Sequence, residues 1–250
     1  MLFIAFMVLI TGCALIGVDR RPPLHIGVAP TYAPVIFEHE GEIVGIEADL
    51  ALLVTNKIGR QIVFHRYAFP ELLDALKRGD IDVVMSGMSV TEGRSKEFLF
   101  TQPYMEIGQL ALIRTQDIGR LGRIQWIRRP GTRVGYERGT TGEEYVASGL
   151  TRSIAFAFDN VEDGLRSLRA GRIDYFIHDS PTIWRLAGDP SHRDLVGLYR
   201  PLTTESVAWA VRRDDRELAA LLNGALSYWQ RAGRIEPILN RWIRVRITTP

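Results

Sequence analysis

The chain has 250 residues, of which 46% are apolar and 24% are charged, and its formal net charge is +2. This composition excludes intrinsic disorder, and the length allows one large domain or two small ones. Basic residues are scattered among acidic ones, which excludes nucleic acid as a partner, and a single cysteine excludes the usual zinc motifs. We predict no catalytic residue, no metal site and no cofactor.

The N-terminus carries an uncharged apolar run at residues 2–10, followed by Leu9-Ile10-Thr11-Gly12-Cys13-Ala14. The run is too short to span a bilayer alone. Small residues before a lone cysteine resemble a bacterial lipobox, which implies cleavage before Cys13 and its lipidation, with several acyl chains as the anchor. No basic residue precedes the run, so an uncleaved anchor over residues 2–18 is the alternative. We predict a signal, anchor and tether over residues 1–23.

The next segment alternates predicted strands and helices. We predict a hairpin around Glu40-Gly41-Glu42 and two helices, one over 47–58 ended by Gly59 and one from Pro70 to Gly79. Strands are predicted at 24–28, 62–65 and 82–85. This order of strand, helix, strand, helix and strand predicts a parallel, doubly wound α/β sheet.

A carboxylate receptor is predicted where the strand at 82–85 ends. Ser86-Gly87 follow the strand, then a turn of small and hydroxyl residues, then Arg94. Ligands of open α/β sheets lie beyond the carboxyl ends of strands, where backbone N–H groups and an arginine bind carboxylates. The alternative is that Arg94 is a surface residue in a helix's first turn. A cation is unfavourable there unless an anion is bound.

The pattern then repeats. Leu73-x-x-Leu76-Lys77-x-Gly79-x-Ile81-Asp82 recurs as Leu165-x-x-Leu168-Arg169-x-Gly171-x-Ile173-Asp174, and residues 25–28 are echoed at 133–136. We therefore predict two similar lobes, in which His178-Asp179 correspond to Ser86-Gly87. Apolar segments at 108–114 and 206–211 are predicted to cross between the lobes and to form a hinge. Lobe 1 would comprise 24–110 and 207–250, and lobe 2 would comprise 111–206.

Several motifs carry a family resemblance. They are Gly45-Ile46-Glu47-Ala48-Asp49-Leu50-Ala51, residues 79–94, Phe100-Thr101-Gln102-Pro103-Tyr104, Arg138-Gly139-Thr140-Thr141-Gly142, His178-Asp179-Ser180-Pro181 and Ile238-Leu239-Asn240-Arg241-Trp242. Over about residues 24–245 the chain resembles the extracellular solute-binding proteins of family 3, the polar amino-acid receptors of ABC importers. The resemblance implies a type II periplasmic binding protein, with two α/β lobes that are each doubly wound and are joined by a two-strand hinge.

The resemblance also implies roles for single residues. Arg94 and the N–H of Thr141 would bind the ligand's α-carboxylate, and the N–H of Ser89 would face a ligand group. The C=O of Gly87 would face a ligand group and Asp179 would accept from the α-ammonium. The ligand's side chain would lie between two aromatic residues, Tyr32 and Phe69.

Two of these roles have alternatives. Asp179 could cap the helix that Pro181 opens, and Phe69 could be a hydrophobic staple before Pro70. Two positions depart from the family pattern: Ala29 stands where many members have an acid, and Glu137 where some have lysine. The missing acid disfavours a cationic ligand recognised from lobe 1, unless Glu137 supplies the charge.

The predicted function is capture of an amino acid or related carboxylate and its delivery to an ABC importer. The protein would be a periplasmic or extracytoplasmic monomer with a lipid anchor, and permease subunits would be its partners. One alternative is an enzyme similar to cyclohexadienyl dehydratases, which act on prephenate or arogenate, with Glu137 or His178 as the acid. Another is a ligand-sensing module, which is disfavoured because no further domain follows before Pro250.

Overall fold

A computed structural model describes residues 22–243. The predicted lipidation site at Cys13 and almost all of the predicted anchor and tether over 1–23 lie outside these residues. Between residues 22 and 243, no helix has the length and apolar character needed to cross a membrane.

The first half of the chain forms strands of one large sheet, several helices and a small antiparallel sheet of three strands, which contains the predicted hairpin around Glu40-Gly41-Glu42. Its elements, in chain order, are β1 Leu24–Val28, β2 Thr31–Tyr32, β3 Ile36–His39, β4 Glu42–Val44, α1 Ile46–Ile58, β5 Ile62–Arg66, α2 Leu72–Arg78, β6 Val83–Val84, α3 Glu92–Glu97, β7 Phe98–Phe100 and β8 Met105–Ile107. A single 3₁₀ turn, Phe69–Glu71, precedes α2. Glycines end α1 and α2: Gly59 and Gly79 both adopt the left-handed conformation that glycine tolerates best.

The second half repeats this alternation and then returns to the first. Its elements are β9 Gln109–Arg114, α4 Ile118–Leu121, β10 Arg133–Glu137, α5 Thr141–Gly149, β11 Ile154–Phe158, α6 Val161–Arg169, β12 Tyr175–Asp179, α7 Ser180–Gly188, β13 Leu195–Leu198, β14 Glu205–Val207, β15 Ala210–Arg212, α8 Arg216–Arg231 and α9 Ile235–Trp242. The side chains of Asn160 and Asp215 cap α6 and α8, respectively, by accepting backbone N–H groups of the first turn.

Two five-stranded sheets organise the fold. Their strand orders are β5-β1-β6-β15-β7 and β11-β10-β12-β9-β13. In each sheet the first three strands are parallel, as predicted, whereas the other two run antiparallel to their neighbours. The antiparallel strands are those that arrive from the other half or lead to it, so their direction is set by the crossings.

Equivalent contacts explain the internal sequence repeat. The carboxylate of Asp82 accepts the backbone N–H of His25, and Asp174 accepts that of Arg133, each at 3.0 Å. Arg212, at the end of β15, donates to the carbonyl of Ile81. In the same way Arg114, at the end of β9, donates to the carbonyl of Ile173. The aspartate of each repeated Ile-Asp motif therefore joins neighbouring parallel strands, β1 to β6 in one sheet and β10 to β12 in the other, which is a structural role.

Gly27 of β1 and Gly135 of β10 also occupy equivalent positions. A Cβ on Gly27 would lie 2.2 Å from Cδ1 of Ile81, and one on Gly135 would lie 2.6 Å from Cδ1 of Ile173. Both isoleucines are fully buried. A side chain at either position would force the tip of the buried isoleucine to move, so glycine lets the isoleucine of each repeat pack directly against its strand.

A two-stranded sheet joins the two halves of the fold, each of which is built around one of the five-stranded sheets. It pairs β8 with β14 antiparallel, and the chain passes through it once in each direction, as predicted. The interpretation of 108–114 as a crossing strand is wrong, because β9 pairs with β12 and β13 inside the second sheet. Segment 206–211 divides between β14 and β15. The lobe boundaries at 110 and 207 stay a prediction.

One buried carboxyl supports the loop that follows β6. Glu47 has no exposed surface, and its carboxyl accepts the Gly87 N–H at 2.7 Å and the Tyr104 hydroxyl at 2.5 Å. Burial raises the pKa of Glu47 from 4.5 to about 8, although the hydrogen bonds from Tyr104 and Gly87 oppose this rise. Between about pH 4.5 and pH 8 the folded protein therefore holds a proton here that the unfolded chain releases.

We expect Glu47→Gln to change how stability depends on pH. Because the pKa is raised by folding, the contribution of Glu47 is full below about pH 4.5 and is lost as the pH rises through about 8. The neutral glutamine removes this loss. Relative to wild type, the free energy of unfolding of the variant should rise by up to about 1.4 kcal/mol per pH unit across this window.

Urea unfolding at pH 5, 6.5 and 8 measures this difference, with Glu42→Gln, at an exposed residue of β4, as the control. A difference between Glu47→Gln and wild type that stays constant with pH would contradict the assignment.

Candidate functional site

A cavity lies between the two halves, at the carboxyl ends of their parallel strands. Its empty space, which includes a part open to solvent, is about 460 Å³, and about 30 Å³ of it can hold the centre of a water-sized molecule. All seven residues predicted to bind a ligand line it. The complete lining is Ala29, Thr31, Tyr32, Phe69, Gly87, Ser89, Arg94, Glu137, Thr140, Thr141, His178 and Asp179.

The loop after β6 forms the wall of the first half. Gly87 has a φ of 65°, and a Cβ at this position would lie 2.4 Å from the Tyr32 ring. The backbone therefore approaches Tyr32 more closely than any other residue type allows. Glu47 holds the N–H of Gly87 from behind. These contacts position the peptide groups between Gly87 and Ser89 beside the cavity.

Arg94 connects the two walls. Its Nη1 donates to the carbonyl of Ser89 at 2.9 Å, and its Nη2 donates to the carbonyl of Gly139, in the second half, at 3.1 Å. The guanidinium also lies 5.7 Å from the centre of the Phe69 ring. Arg94 is thus not a solvated surface residue, although it belongs to the first turn of α3, and its charge faces the cavity.

The second half contributes the first turn of α5. Thr140 is the N-cap of this helix and Thr141 its first residue, and the Thr140 hydroxyl donates to the Glu137 carbonyl at 2.7 Å. The N-terminal end of a helix carries partial positive charge and N–H groups without intrahelical partners. Together with Arg94, this turn creates a region of the cavity that favours an anion.

Asp179 supplies negative charge at the end of β12. It occupies the N-cap position of α7, but its side chain makes no capping hydrogen bond, so the alternative role as a helix cap is wrong. The carboxylate instead accepts from Nε2 of Gln109. Burial raises the pKa of Asp179, His178 opposes this rise and Glu205 adds to it. A second cationic partner would stabilise this carboxylate.

His178 and Glu137 form a pair beside Asp179. Nε2 of His178 lies 3.0 Å from Oε2 of Glu137, and Nδ1 accepts the Asp179 N–H at 2.8 Å. The proton of a neutral His178 therefore lies on Nε2 and points at Glu137. Burial alone would lower the pKa of His178, but the hydrogen bond with Glu137 and the charge of Asp179 raise it.

Two residues that the sequence analysis missed support the cavity from behind. Gln109 is 1% exposed, and its Nε2 lies within hydrogen-bond distance of Thr141, Asp179 and Glu205. Glu205 accepts hydroxyl protons from Ser89 and Thr141. A signal for Gln109 existed, since it is the one uncharged polar residue of an apolar run. No local signal identified Glu205.

Among residues 22–243, no group of three or more histidine, cysteine, aspartate or glutamate side chains is arranged to bind a metal ion. What the cavity offers is a cation and helix N–H groups together with carboxylates. Such an arrangement suits a zwitterion.

Comparison with known proteins assigns the chain to a family. The model for bacterial extracellular solute-binding proteins, family 3, matches residues 24–245. The ABC transporter arginine-binding protein 1 of Escherichia coli is 29% identical, over 90% of this chain and 93% of that protein. The arginine-binding periplasmic protein of Mannheimia haemolytica is 26% identical, over 95% and 97% of the two chains. These relatives bind solutes and are not named as enzymes, in agreement with the prediction.

Solved structures agree with this family. The structure of an ancestral arginine-binding protein bound to glutamine superimposes with a TM-score of 0.79 at 29% identity, covering 89% of this chain and 98% of that one. The predicted fold class, two α/β halves of the type II periplasmic binding protein kind, is thereby confirmed.

The His178–Glu137 pair yields a prediction. Glu137→Gln removes the charge that stabilises the imidazolium form, so the variant should lower the pKa of His178. NMR titration of the His178 ring measures this change, with the exposed His39 as an internal control in the same spectra. An unchanged His178 titration would mean that the two side chains are apart in solution.

Proposed function

The chain belongs to the bacterial extracellular solute-binding proteins, family 3, and from this premise we propose that it captures an amino acid or related small carboxylate between its two halves and delivers it to an ABC importer. The observation that carries the proposal is the opposition of Arg94 and Asp179 across one cavity that both halves line. Their charges match the two ends of an amino acid's backbone.

Arg94 is the proposed partner of the ligand's carboxylate. Two of its N–H groups bond to the carbonyls of Ser89 and Gly139, and the guanidinium carries five N–H groups. The remaining N–H groups are available to a carboxylate. The N–H groups of Ser89 and of Thr141 would add two further bonds. Hydrogen bonds to charged groups stabilise by about 1.5–3 kcal/mol each, and micromolar affinity needs only about 8 kcal/mol in total.

Asp179 is the proposed partner of the ligand's ammonium group. Burial without a full charge partner raises its pKa, so an ammonium group would stabilise the ionised carboxylate. The carbonyl of Gly87 and the hydroxyl of Ser89 line the same cavity. Three acceptors would thereby meet the three protons of an ammonium group.

The ligand's side chain would lie among Tyr32, Phe69 and Glu137, which all line the cavity. The aromatic rings provide apolar contact, whereas Ala29 contributes no charge. Two relatives are named as arginine-binding proteins, and the structure of a similar ancestral arginine-binding protein contains bound glutamine. These two amino acids are therefore the first candidates, and Glu137 with His178 would decide between them.

The place of action follows from the same family. The relatives named above include a periplasmic protein and a component of an ABC transporter, so we place the protein outside the cytoplasmic membrane, with permease subunits as its partners. Lipidation at Cys13 would anchor it there. A single chain supplies both walls of the cavity, which is compatible with a monomer.

Arg94→Ala tests the proposed site. Isothermal titration calorimetry with L-arginine, L-glutamine and L-histidine should find at least one ligand that binds wild type. Loss of two charged hydrogen bonds should weaken that ligand about 100-fold or more. Arg152→Ala, at an exposed arginine of the turn between α5 and β11, should bind like wild type.

Two results would argue against the proposal. Equal affinity of Arg94→Ala and wild type would remove Arg94 from the site. Absence of binding by wild type across all twenty amino acids would refute amino-acid capture.

A further inference from the structure

Glu205 occupies the position where the two halves meet. It lies in β14, opposite Ile107 of β8, and Ser89 of the first half bridges to Val207 of the same strand. Its carboxylate contacts two hydroxyls that line the cavity. Glu205 is not itself part of the lining, so it would act on a ligand through those hydroxyls.

The hydrogen bonds of Glu205 determine where the protons lie. Oε2 accepts from the Ser89 hydroxyl at 2.7 Å and from the Thr141 hydroxyl at 2.6 Å. Oε1 accepts from the Thr203 hydroxyl at 2.6 Å and from Nε2 of Gln109 at 3.3 Å. A carboxylate only accepts, and each hydroxyl has one proton. Ser89 and Thr141 therefore have only lone pairs left for the cavity.

We propose that Glu205 is a positioning residue of the binding site: it takes one hydroxyl proton from each half, so that the closed cleft presents both hydroxyl oxygens as acceptors to the ligand's ammonium group. This inference rests on the proposed capture of an amino acid. It assigns to the hinge a share in recognising the ligand, beyond joining the halves.

Charge supports the same assignment. Asp179 and Glu205 both lie within reach of Nε2 of Gln109, and the charge of Glu205 adds to the rise in the pKa of Asp179. Two carboxylates near two hydroxyls that can only accept form a region rich in hydrogen-bond acceptors beside the cavity. An ammonium group, which donates three protons and carries positive charge, is the complement of such a region.

The geometry also connects Glu205 to closure. Ser89 belongs to the first half and Thr141 to the second, and one oxygen atom binds both. This pair of hydrogen bonds exists only when the halves are together. Glu205 therefore stabilises the closed form and should slow ligand release. It should affect ligand capture by an open form much less, because the Thr141 contact is then absent.

Glu205→Gln tests the inference, since it preserves shape but leaves one acceptor oxygen in place of two. The matched control is Glu106→Gln, because Glu106 lies opposite Ser206 in the same two-stranded sheet but is exposed. Stopped-flow kinetics uses L-arginine, L-glutamine or L-histidine, whichever binds wild type. We expect dissociation from Glu205→Gln to be about tenfold faster, with association within about threefold of wild type. Glu106→Gln should match wild type in both rates.

A second variant keeps the test decisive if Glu205→Gln folds poorly. Thr141→Val removes one of the two hydroxyls and should also speed dissociation. The double variant should dissociate less fast than the sum of the two single effects predicts, because both changes remove the same hydrogen bond between Thr141 and Glu205. Additive effects, an unchanged dissociation rate, or equal changes in Glu106→Gln would overturn the inference.

Small-angle X-ray scattering separates this inference from the proposed function. If wild type binds none of the three amino acids, the proposed function fails for these ligands. The role in closure is still measurable without ligand: the radius of gyration should be larger for Glu205→Gln than for Glu106→Gln. Equal radii would overturn the inference regardless of which ligand the protein binds.

Discussion

The contacts of Arg94 with both halves of the molecule are the interaction on which the site depends. One guanidinium donates to a carbonyl of the first half and to a carbonyl of the second. Burial lowers the pKa of Arg94, and three surrounding carboxylates, Glu144, Asp179 and Glu205, oppose this effect. Because the same guanidinium bonds to both halves and lines the cavity, an anion that enters the cavity would interact with the group that holds the halves together.

The acids around the cavity differ in how they are compensated. Glu137 is paired with His178, whereas Glu205 is surrounded by hydroxyl and amide donors. Asp179 has one amide donor, and burial raises its pKa. Asp179 is thus the least compensated of the three acids, and it lines the cavity together with Glu137, whereas Glu205 lies behind the lining. A ligand ammonium would complete this balance, which is how binding energy can favour the closed form.

The framework around the site is built from pairs of equivalent contacts. Asp82 joins β1 to β6 and Asp174 joins β10 to β12 in the same way, and a glycine of β1 or β10 lies against an isoleucine in both sheets. Each sheet thus brings the ends of its parallel strands to the same edge, and the two-stranded sheet orients these edges toward each other. At those ends the first half places Arg94 in the first turn of α3, and the second half places Asp179 as the last residue of β12.

The sequence by itself determined the order of strands and helices and the duplication, because spacing, turn residues and repeated motifs are local. The seven proposed site residues followed from the family resemblance that its motifs carry. Only the tertiary structure decided which strands cross between the halves, since β9 looks like any buried strand until its pairing with β12 and β13 is known. It also decided the burial of Glu47 and the role of Glu205. The Glu205 carboxylate binds Ser89, which is 116 positions away, and no local pattern encodes a hydrogen bond between segments that meet only after both halves have folded.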